Sequence, residues 1–341
     1  MSELVPARRR TLYQRGPLRR ALLDTSVLTS DIIAATRRRD PSSIVAGARA
    51  GTVRCLIPVH VYEEVPRVLA DRHDEGGQFD LGRALALWHS QYLPVLYVVD
   101  AAGLPMTPEA EVLAGRDASD VPMLLLAGVI APVVTFGTDK DLVASGLADA
   151  DYVALRAALG KVGVAEGRMA DLERQAGVLT NATGHLFKAA VNQVTEQFSA
   201  RQTLAVVAVA GTLAGTLYWR QRRHPRPSVP VQQQRTLHLV LKHAWKGLEA
   251  LEAKHTQGED RWRQAERGTP GDTLLHRVAR TLVGSPEPLT RTAIVGRLGE
   301  HVPGAGHAEQ MAAVRGVLTA HPMFVDVSGR GHWQVGRLGG R

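Results

Sequence analysis

The sequence predicts an α/β fold for the first part of the chain and a small α+β unit at its C-terminus, with helical segments between them. Two observations lead to this prediction. Between residues 20 and 146, short apolar runs alternate with longer amphipathic runs, as in parallel strands that are covered by helices on both faces. After residue 271, three helical patterns precede two alternating strands around a glycine-rich turn.

The α/β part contains four predicted strands, and a helix follows each of them. Strands have short apolar runs, whereas the helices have apolar residues at a period near 3.6. In chain order we predict a strand at 20–24, a helix at 27–36, a strand at 55–59, a helix to about 69, a helix at 80–92, a strand at 95–100, a helix at 119–130, a strand at 132–136 and a helix at 140–145. Strands separated in this way form a mostly parallel sheet.

The chain divides by composition into six segments. The first is basic and lacks the apolar stretch of a secretory signal. The fourth carries no charged residue, and the fifth combines a basic, proline-containing linker with a polar helix or helix pair that is broken near Gly258. The segments are a basic tail at 1–19, the α/β domain at 20–150, a helical segment at 151–202, an apolar helix at 203–219, the linker and polar helix at 220–267 and the C-terminal domain at 268–341.

Charge and cysteine content narrow the class of protein. Lys and Arg number 41 against 33 Asp and Glu, which gives a net charge of +8. A basic balance of this size suits a polyanionic partner, either nucleic acid or an anionic membrane surface, and does not choose between them. The single cysteine, Cys55, excludes a disulfide framework and any zinc site with two thiolates, so a reducing cytosol is the simple interpretation.

Four acidic residues fall at or near the ends of the predicted elements: Asp24, Glu64, Asp120 and Asp139. Ligand sites in a parallel sheet lie outside the carboxyl ends of the strands, so these side chains are expected to share one crevice. Carboxylates packed together repel each other unless a cation lies between them, and Mg²⁺ or Mn²⁺ prefers oxygen ligands of this kind. Each acid taken alone could instead be a helix cap.

Four segments carry a family resemblance. They are 22–28 (LLDTSVL), 61–65 (VYEEV), 117–120 (DASD) with the apolar helix after it, and 133–142 (VVTFGTDKDL). In order and spacing they resemble the PIN-domain nucleases, over about residues 20–150. The resemblance implies an α/β/α sandwich with a cleft that depends on Mg²⁺ or Mn²⁺ and cleaves RNA.

The resemblance also assigns roles to residues. Asp24, Glu64, Asp120 and Asp139 would be the catalytic, metal-binding acids, and the helpers around them would be Thr25, Ser26, Thr138 and Asp141. Glu63 is the alternative to Glu64, and Asp141 could instead cap the helix after it. Asp117 is interpreted as a surface or capping residue. The fourth segment has two more residues between Thr135 and Asp139 than the commonest form of the family.

Other hydrolytic chemistries lack their motifs. The 13 histidines include no HExxH pair, and the sequence contains neither a GxSxG elbow nor a GxxxxGK[ST] phosphate loop. His60 and His89 are therefore interpreted as packing or surface residues.

The C-terminal domain resembles a winged helix-turn-helix through Phe324, Gly329, Gly331, Trp333 and Val335. The resemblance implies DNA contacts from the third helix and the hairpin, or wing. The alternative is a module for protein contacts or dimerisation. The candidate contact residues are Glu309, Gln310 and Arg315 on the helix, and Arg330, His332 and Arg337 on the wing.

The leading hypothesis is a metal-dependent endoribonuclease of the PIN type with a C-terminal winged-helix module. The alternatives are a non-catalytic regulator that binds nucleic acid or protein, and a toxin-like nuclease held by a partner.

The expected location is the cytoplasm, with membrane association through residues 203–219. The 17 residues extend about 26 Å as a helix, close to the thickness of a bilayer core. The GxxxG spacing of Gly211 and Gly215 also allows a helix that is buried in a homo-oligomer.

Overall fold

The computed structural model describes residues 18–38, 40–149, 151–183 and 231–340, without the side chains of 172–183 and 231–245. This part of the chain forms two compact units. The first unit comprises residues 18–160 and 259–340, and the second comprises residues 161–183 and 231–258.

A five-stranded sheet forms the centre of the first unit. Its four parallel strands are β1 (Arg19–Leu23), β2 (Val53–Pro58), β3 (Leu96–Val99) and β4 (Val134–Phe136). They lie in the order β4-β1-β2-β3, so β1 pairs with both β2 and β4. Every residue of β2 is buried, as expected for a parallel strand covered on both faces. The predicted α/β class with a mostly parallel sheet is confirmed.

Seven helices of the described chain accompany these strands. They are α1 (Thr25–Thr36), α2 (Ser43–Arg49), α3 (Val59–Asp74), α4 (Leu81–Leu87), α5 (Pro108–Ala114), α6 (Val121–Ile130) and α7 (Lys140–Ala144). The segment predicted as one helix over 80–92 is α4 followed by a π-helical turn at Trp88–Tyr92. Helices α2 and α5, each of seven residues, were not predicted.

Two long helices supply the described residues of the second unit, and one end of each helix is assigned to the first unit. They are α8 (Tyr152–Thr183) and α9 (Val231–Ala265). Within the second unit they run antiparallel, with Lys161 Nζ 3.1 Å from Gln257 Oε1 and His255 Nε2 3.3 Å from Glu166 Oε1.

The break predicted near Gly258 is wrong, because α9 continues through this residue. A glycine inside a helix costs about 1 kcal/mol. Packing of the next turns offsets that cost, since Trp262 is 1% exposed and its ring lies 6.0 Å from that of Phe136.

The apolar segment 203–219 lies outside the described residues. Among the helices within the described ranges, none is both long enough and apolar enough to span a membrane.

The C-terminal part contains the predicted helices and hairpin. Its helices are α10 (Leu274–Val283), α11 (Arg291–Leu298) and α12 (His307–Ala320), and its strands are β5 (Leu289–Thr290), β6 (Phe324–Asp326), β7 (His332–Val335) and β8 (Arg337–Leu338). Strands β5, β7 and β6 form an antiparallel sheet in that order. Asp326 holds the turn between β6 and β7, since its carboxylate accepts hydrogen bonds from the backbone N–H groups of Ser328, Gly331 and His332.

The predicted wing residues are only partly in the hairpin. Arg330 is exposed in its turn and His332 begins β7. Arg337 was wrongly assigned to the wing, because it lies in β8, which pairs with β3 at the edge of the larger sheet. Gly336, with a positive φ of 68°, separates β7 from β8 and lets the chain turn from one sheet to the other.

The C-terminal part and the parallel sheet belong to the same compact unit, so the boundary at residue 268 does not separate compact units. Arg54 of β2 is 4% exposed and donates to the carbonyl oxygens of Leu282 (2.9 Å) and Ser285 (2.6 Å). Its guanidinium lies 4.6 Å from the centre of the Tyr97 ring. Burial lowers the pKa of Arg54, but carbonyl acceptors and an aromatic face compensate in part for the lost water.

Arg54→Leu should lower the free energy of unfolding by about 2–4 kcal/mol, because the buried hydrogen bonds to the carbonyl groups of Leu282 and Ser285 would be lost. Urea unfolding monitored by tryptophan fluorescence measures this change. The control is Arg37→Leu, which removes one exposed hydrogen bond to Gln78 and should cost less than about 0.5 kcal/mol. Equal losses in the two variants would contradict the proposed role of Arg54.

Candidate metal-binding site

Asp24 lies at the carboxyl ends of the neighbouring strands β1 and β4, directly before the first helix. It follows β1, and its backbone N–H donates to the carbonyl oxygen of Phe136 at the end of β4 (2.9 Å). Its carboxylate caps α1, accepting hydrogen bonds from the backbone N–H of Ser26 (3.1 Å) and from the Ser26 hydroxyl. The side chain is therefore a helix cap, as the alternative interpretation of a single aspartate predicted, and it is also held at the carboxyl edge of the sheet.

Asp139 approaches the same edge from β4. Its carboxylate caps α7 by accepting a hydrogen bond from the backbone N–H of Asp141 (2.7 Å). The preceding residue, Thr138, donates its backbone N–H to the Ser26 hydroxyl oxygen (3.1 Å). Ser26 thus connects the loop after β4 to Asp24. Of the predicted helpers, Ser26 contacts Asp24 directly and Thr138 acts through its backbone.

The environment of Asp24 disfavours its charge. Burial raises the pKa of the carboxyl, hydrogen bonds from Ser26 and Thr25 lower it, and the negative charge of Asp139 raises it again. The balance is an increase with burial as its main cause, and the charge of Asp139 makes a smaller contribution in the same direction.

Asp120 is the acid with the fewest compensating contacts. It precedes α6 and is 7% exposed, but its side chain makes no capping hydrogen bond. Within the described residues, its buried Oδ2 atom has no hydrogen-bond partner. Burial, together with the smaller effects of the charges of Asp24, Asp117, Asp139 and Asp141, raises the pKa of Asp120 to about 7. Such a carboxyl is partly protonated near neutral pH unless a cation binds beside it.

Glu64 reaches this region from α3. Its Oε2 accepts a hydrogen bond from the Thr25 hydroxyl (2.8 Å), and its Oε1 lies 3.3 Å from a guanidinium nitrogen of Arg67. Glu63 is exposed, whereas Glu64 is half-buried. Of the two neighbouring glutamates, Glu64 is therefore the one that contacts the start of α1.

The two remaining acidic candidates, Asp117 and Asp141, lie in a turn and in the first turn of α7. Asp117 accepts hydrogen bonds from the backbone and hydroxyl of Ser119, which lower its pKa, as expected of a turn-forming residue. Asp141 follows the cap of α7 and adds negative charge near Asp120.

His60 was not predicted as a site residue, although it lies close to the acids. It is in the first turn of α3, four residues before Glu64, so both side chains lie on one face of the helix. Burial lowers the pKa of His60, while the charges of Glu64, Asp24 and Asp117 raise it. The spacing of four residues from Glu64 was the signal in the sequence that could have identified it.

These acids have the donor chemistry of a site for a hard divalent cation. Four carboxylates come from separate segments, two of them have raised pKa values, and one has an unsatisfied buried oxygen. As they stand, however, no three histidine, cysteine or acidic side chains of the described residues form a group that could hold a metal ion. Binding would require Asp24 and Asp139 to turn from their capping hydrogen bonds toward an ion that they share with the other acids.

The raised pKa of Asp120 predicts a pH dependence of stability in the absence of divalent metal. The carboxyl ionises near 3.8 when unfolded and near 7 when folded, so its contribution to stability is present below pH 4 and is lost as the pH rises through 7. At pH 8 with a chelator, Asp120→Asn should be more stable than the wild type by about 1–2 kcal/mol, allowing for solvent screening. The difference should vanish near pH 4.

Thermal unfolding at both pH values measures this effect, with Asp117→Asn as the control. The pKa of Asp117 is lowered, so its substitution should have the opposite sign at pH 8. An Asp120→Asn variant that is less stable than the wild type at pH 8 would refute the assignment of Asp120 as a destabilising charge.

Asp24, Asp120 and Asp139 thus interact electrostatically at one edge of the sheet, and Glu64 contacts the start of α1 through Thr25, but the described residues do not form a completed set of ligands. Comparisons of the chain with protein-family models, with curated proteins and with solved structures found no match. The function of this acidic site therefore has to be inferred from the chemistry of its own residues.

Proposed function

We propose that this protein is a metal-dependent endoribonuclease of the PIN type, a hydrolase that cleaves RNA phosphodiester bonds. One observation supports this most strongly. The buried carboxylate oxygen of Asp120 has no hydrogen-bond partner among the described residues, and Asp24 and Asp139 repel that carboxylate from other segments. A structural carboxylate would normally be hydrogen-bonded, so an unsatisfied one beside two others suits a site for a cation.

In this proposal the cofactor is Mg²⁺ or Mn²⁺. Asp24 and Asp139 would bind the ion directly, and Glu64 and Asp120 would bind it directly or through water. A bound ion supplies activation of water and stabilisation of the leaving oxygen of a phosphodiester.

The other residues of the site would position these acids. Thr25 orients Glu64 through its hydroxyl, and Ser26 holds Asp24 while accepting from the Thr138 backbone. His60, on the same face of α3 as Glu64, would add a polar group at the margin of the site.

RNA is the proposed substrate because the chain carries a net charge of +8, which attracts phosphate backbones. The C-terminal part would add contacts to nucleic acid through Arg315 on α12 and Arg330 in the hairpin turn, both of which are exposed. A chain that binds RNA without cutting it would instead be the non-catalytic regulator. Activity suppressed by a neighbouring protein would indicate the toxin-like alternative.

The proposed location is the cytoplasm, and residues 203–219 are proposed to associate with membranes. Fractionation of the full chain and of a version without residues 200–226 tests this proposal. The full chain should sediment with membranes, and the shortened chain should remain in the supernatant. If both chains remain in the supernatant without detergent, an oligomer core is the better explanation of the apolar segment.

Asp24→Asn and Asp139→Asn should each reduce RNA cleavage in Mn²⁺ by more than about 100-fold, because each removes a proposed ligand charge. Cleavage of a labelled single-stranded RNA, with and without chelator, measures this loss. Both variants should remain folded, since their amide oxygens can still cap α1 and α7.

Asp100→Asn is the matched control. Asp100 also follows a parallel strand and also accepts a local backbone hydrogen bond, from Ala102 (2.9 Å), but it is exposed. Its substitution should leave cleavage unchanged. Wild-type cleavage rates in Asp24→Asn, or cleavage that persists in chelator, would refute the proposed metal-dependent mechanism.

A further inference from the structure

A groove separate from the acidic site lies near the opposite end of α1. Its volume is about 380 Å³, and all of its lining residues belong to the first unit. They come from the end of α1, the start of α2 and the first turns of α8: Arg38, Ser43, Tyr152, Val153, Arg156, Ala157 and Gly160. We call this the Arg38–Arg156 groove. Asp24 caps the start of α1, so about 18 Å of helix separates the groove from the acids.

An ion pair with a buried carboxylate holds Arg156 in position. Its Nη1 lies 2.9 Å from Oδ1 of Asp31, which is 1% exposed on α1. The other oxygen of Asp31 accepts a hydrogen bond from the Tyr92 hydroxyl (2.7 Å). A guanidinium has five N–H donors, and the Asp31 contact leaves others for a ligand. With 21% of the side chain exposed, Arg156 is both fixed and accessible.

Arg38 supplies a second cation, from the exposed end of α1. Its backbone carbonyl accepts a hydrogen bond from Arg83 (3.2 Å), which brings a further positive charge near this end of the helix. No carboxylate lies among the residues that line the groove. Asp31 balances the charge of Arg156 from outside the lining, so Arg38 supplies the uncompensated positive charge of the groove. Guanidinium groups bind phosphate oxygens in paired, charge-assisted hydrogen bonds.

The other side of the groove is suited to an organic group. Tyr152 offers an aromatic ring, Ala157 and Gly160 leave space, and Val153 is 62% exposed, unusually open for an apolar side chain. A volume of this size lies within the range of small-molecule sites. Free phosphate would bind the two arginines and leave Tyr152 and Val153 without a contact.

From this arrangement we infer that the Arg38–Arg156 groove binds a phosphorylated small molecule of about the size of a mononucleotide. The phosphate lies between Arg38 and Arg156, with the Ser43 hydroxyl as a further donor. The aromatic or apolar part of the ligand lies against Tyr152 and Val153. This binding site does not depend on the proposed nuclease activity.

The test is calorimetric titration of the full chain with adenosine monophosphate, in chelator so that no metal recruits the ligand to the acidic site. Adenosine, which lacks the phosphate, and inorganic phosphate, which lacks the organic part, should each bind at least about tenfold more weakly. Arg38→Gln should weaken binding of adenosine monophosphate by about tenfold, the effect of one lost charge-assisted hydrogen bond.

Arg37→Gln is the control, because Arg37 lies on the same helix end but bonds to Gln78 outside the groove. It should leave the affinity unchanged within about twofold. Arg156→Gln should also weaken binding, but it breaks the contact with Asp31, so the exposed Arg38 is the decisive position. Absence of saturable binding, or equal affinity in the wild type and Arg38→Gln, would overturn the inference. Inorganic phosphate that binds as tightly as the nucleotide would overturn the assignment of an organic ligand.

Discussion

Repulsion among carboxylates at the carboxyl edge of the parallel sheet is the constraint on which the candidate site depends. Strands β1 and β4 are neighbours, and the hydrogen bond from the Asp24 backbone to Phe136 brings the ends of both strands to one place. Asp24 and Asp139 are then close because of the sheet itself, and Asp120 joins them from the start of α6. Hydrogen bonds from Ser26 and Thr25 offset part of the cost at Asp24, but Asp120 has no such compensation among the described residues. A fold that keeps the Asp120 carboxylate charged must tolerate the free-energy cost of burying that charge or bind a cation.

The C-terminal part contributes to the same unit through polar rather than purely apolar contacts. Arg54 of β2 donates hydrogen bonds to carbonyl oxygens in the last turn of α10 and just after it. Strand β8 adds an antiparallel strand beside β3. Covering the edge of β3 protects its backbone hydrogen-bonding groups from other chains. Nucleic acid that bound to the C-terminal helices would therefore be held by the same compact unit that contains the acids.

Helix α1 links two chemically opposite regions of the first unit. Its start is capped by Asp24 among carboxylates, and it ends beside Arg38 in a groove with two arginines. Between them, the buried Asp31 binds Arg156 and Tyr92 and so fixes the helix against α8 and the turn after α4. The separation keeps the arginines from forming ion pairs with the acids, because about 18 Å of helix lies between the two regions.

The sequence by itself determined the class of the fold and the positions of the four acids along the chain. Buried parallel strands are nearly continuous apolar runs, so β1 to β4 could be identified from local composition, as could the helices longer than seven residues. Asp24, Asp120 and Asp139 could be identified because they lie next to or near the ends of these runs, and Glu64 because it lies in the helix that follows β2. Local composition did not reveal α2 or α5, nor the continuity of α9 through Gly258, which depends on the packing of Trp262.

Only the tertiary structure decided which side chains meet. The sequence left Glu63 and Glu64 as alternatives, and the hydrogen bond from Thr25 distinguishes them. His60, the raised pKa of Asp120 and the partner of Arg54 all depend on residues that are distant along the chain. The placement of Arg337 in the larger sheet depends on strand pairing with β3, to which no local pattern points. Burial and long-range electrostatics arise from the packing of separate elements, so they become visible only when those elements are in place.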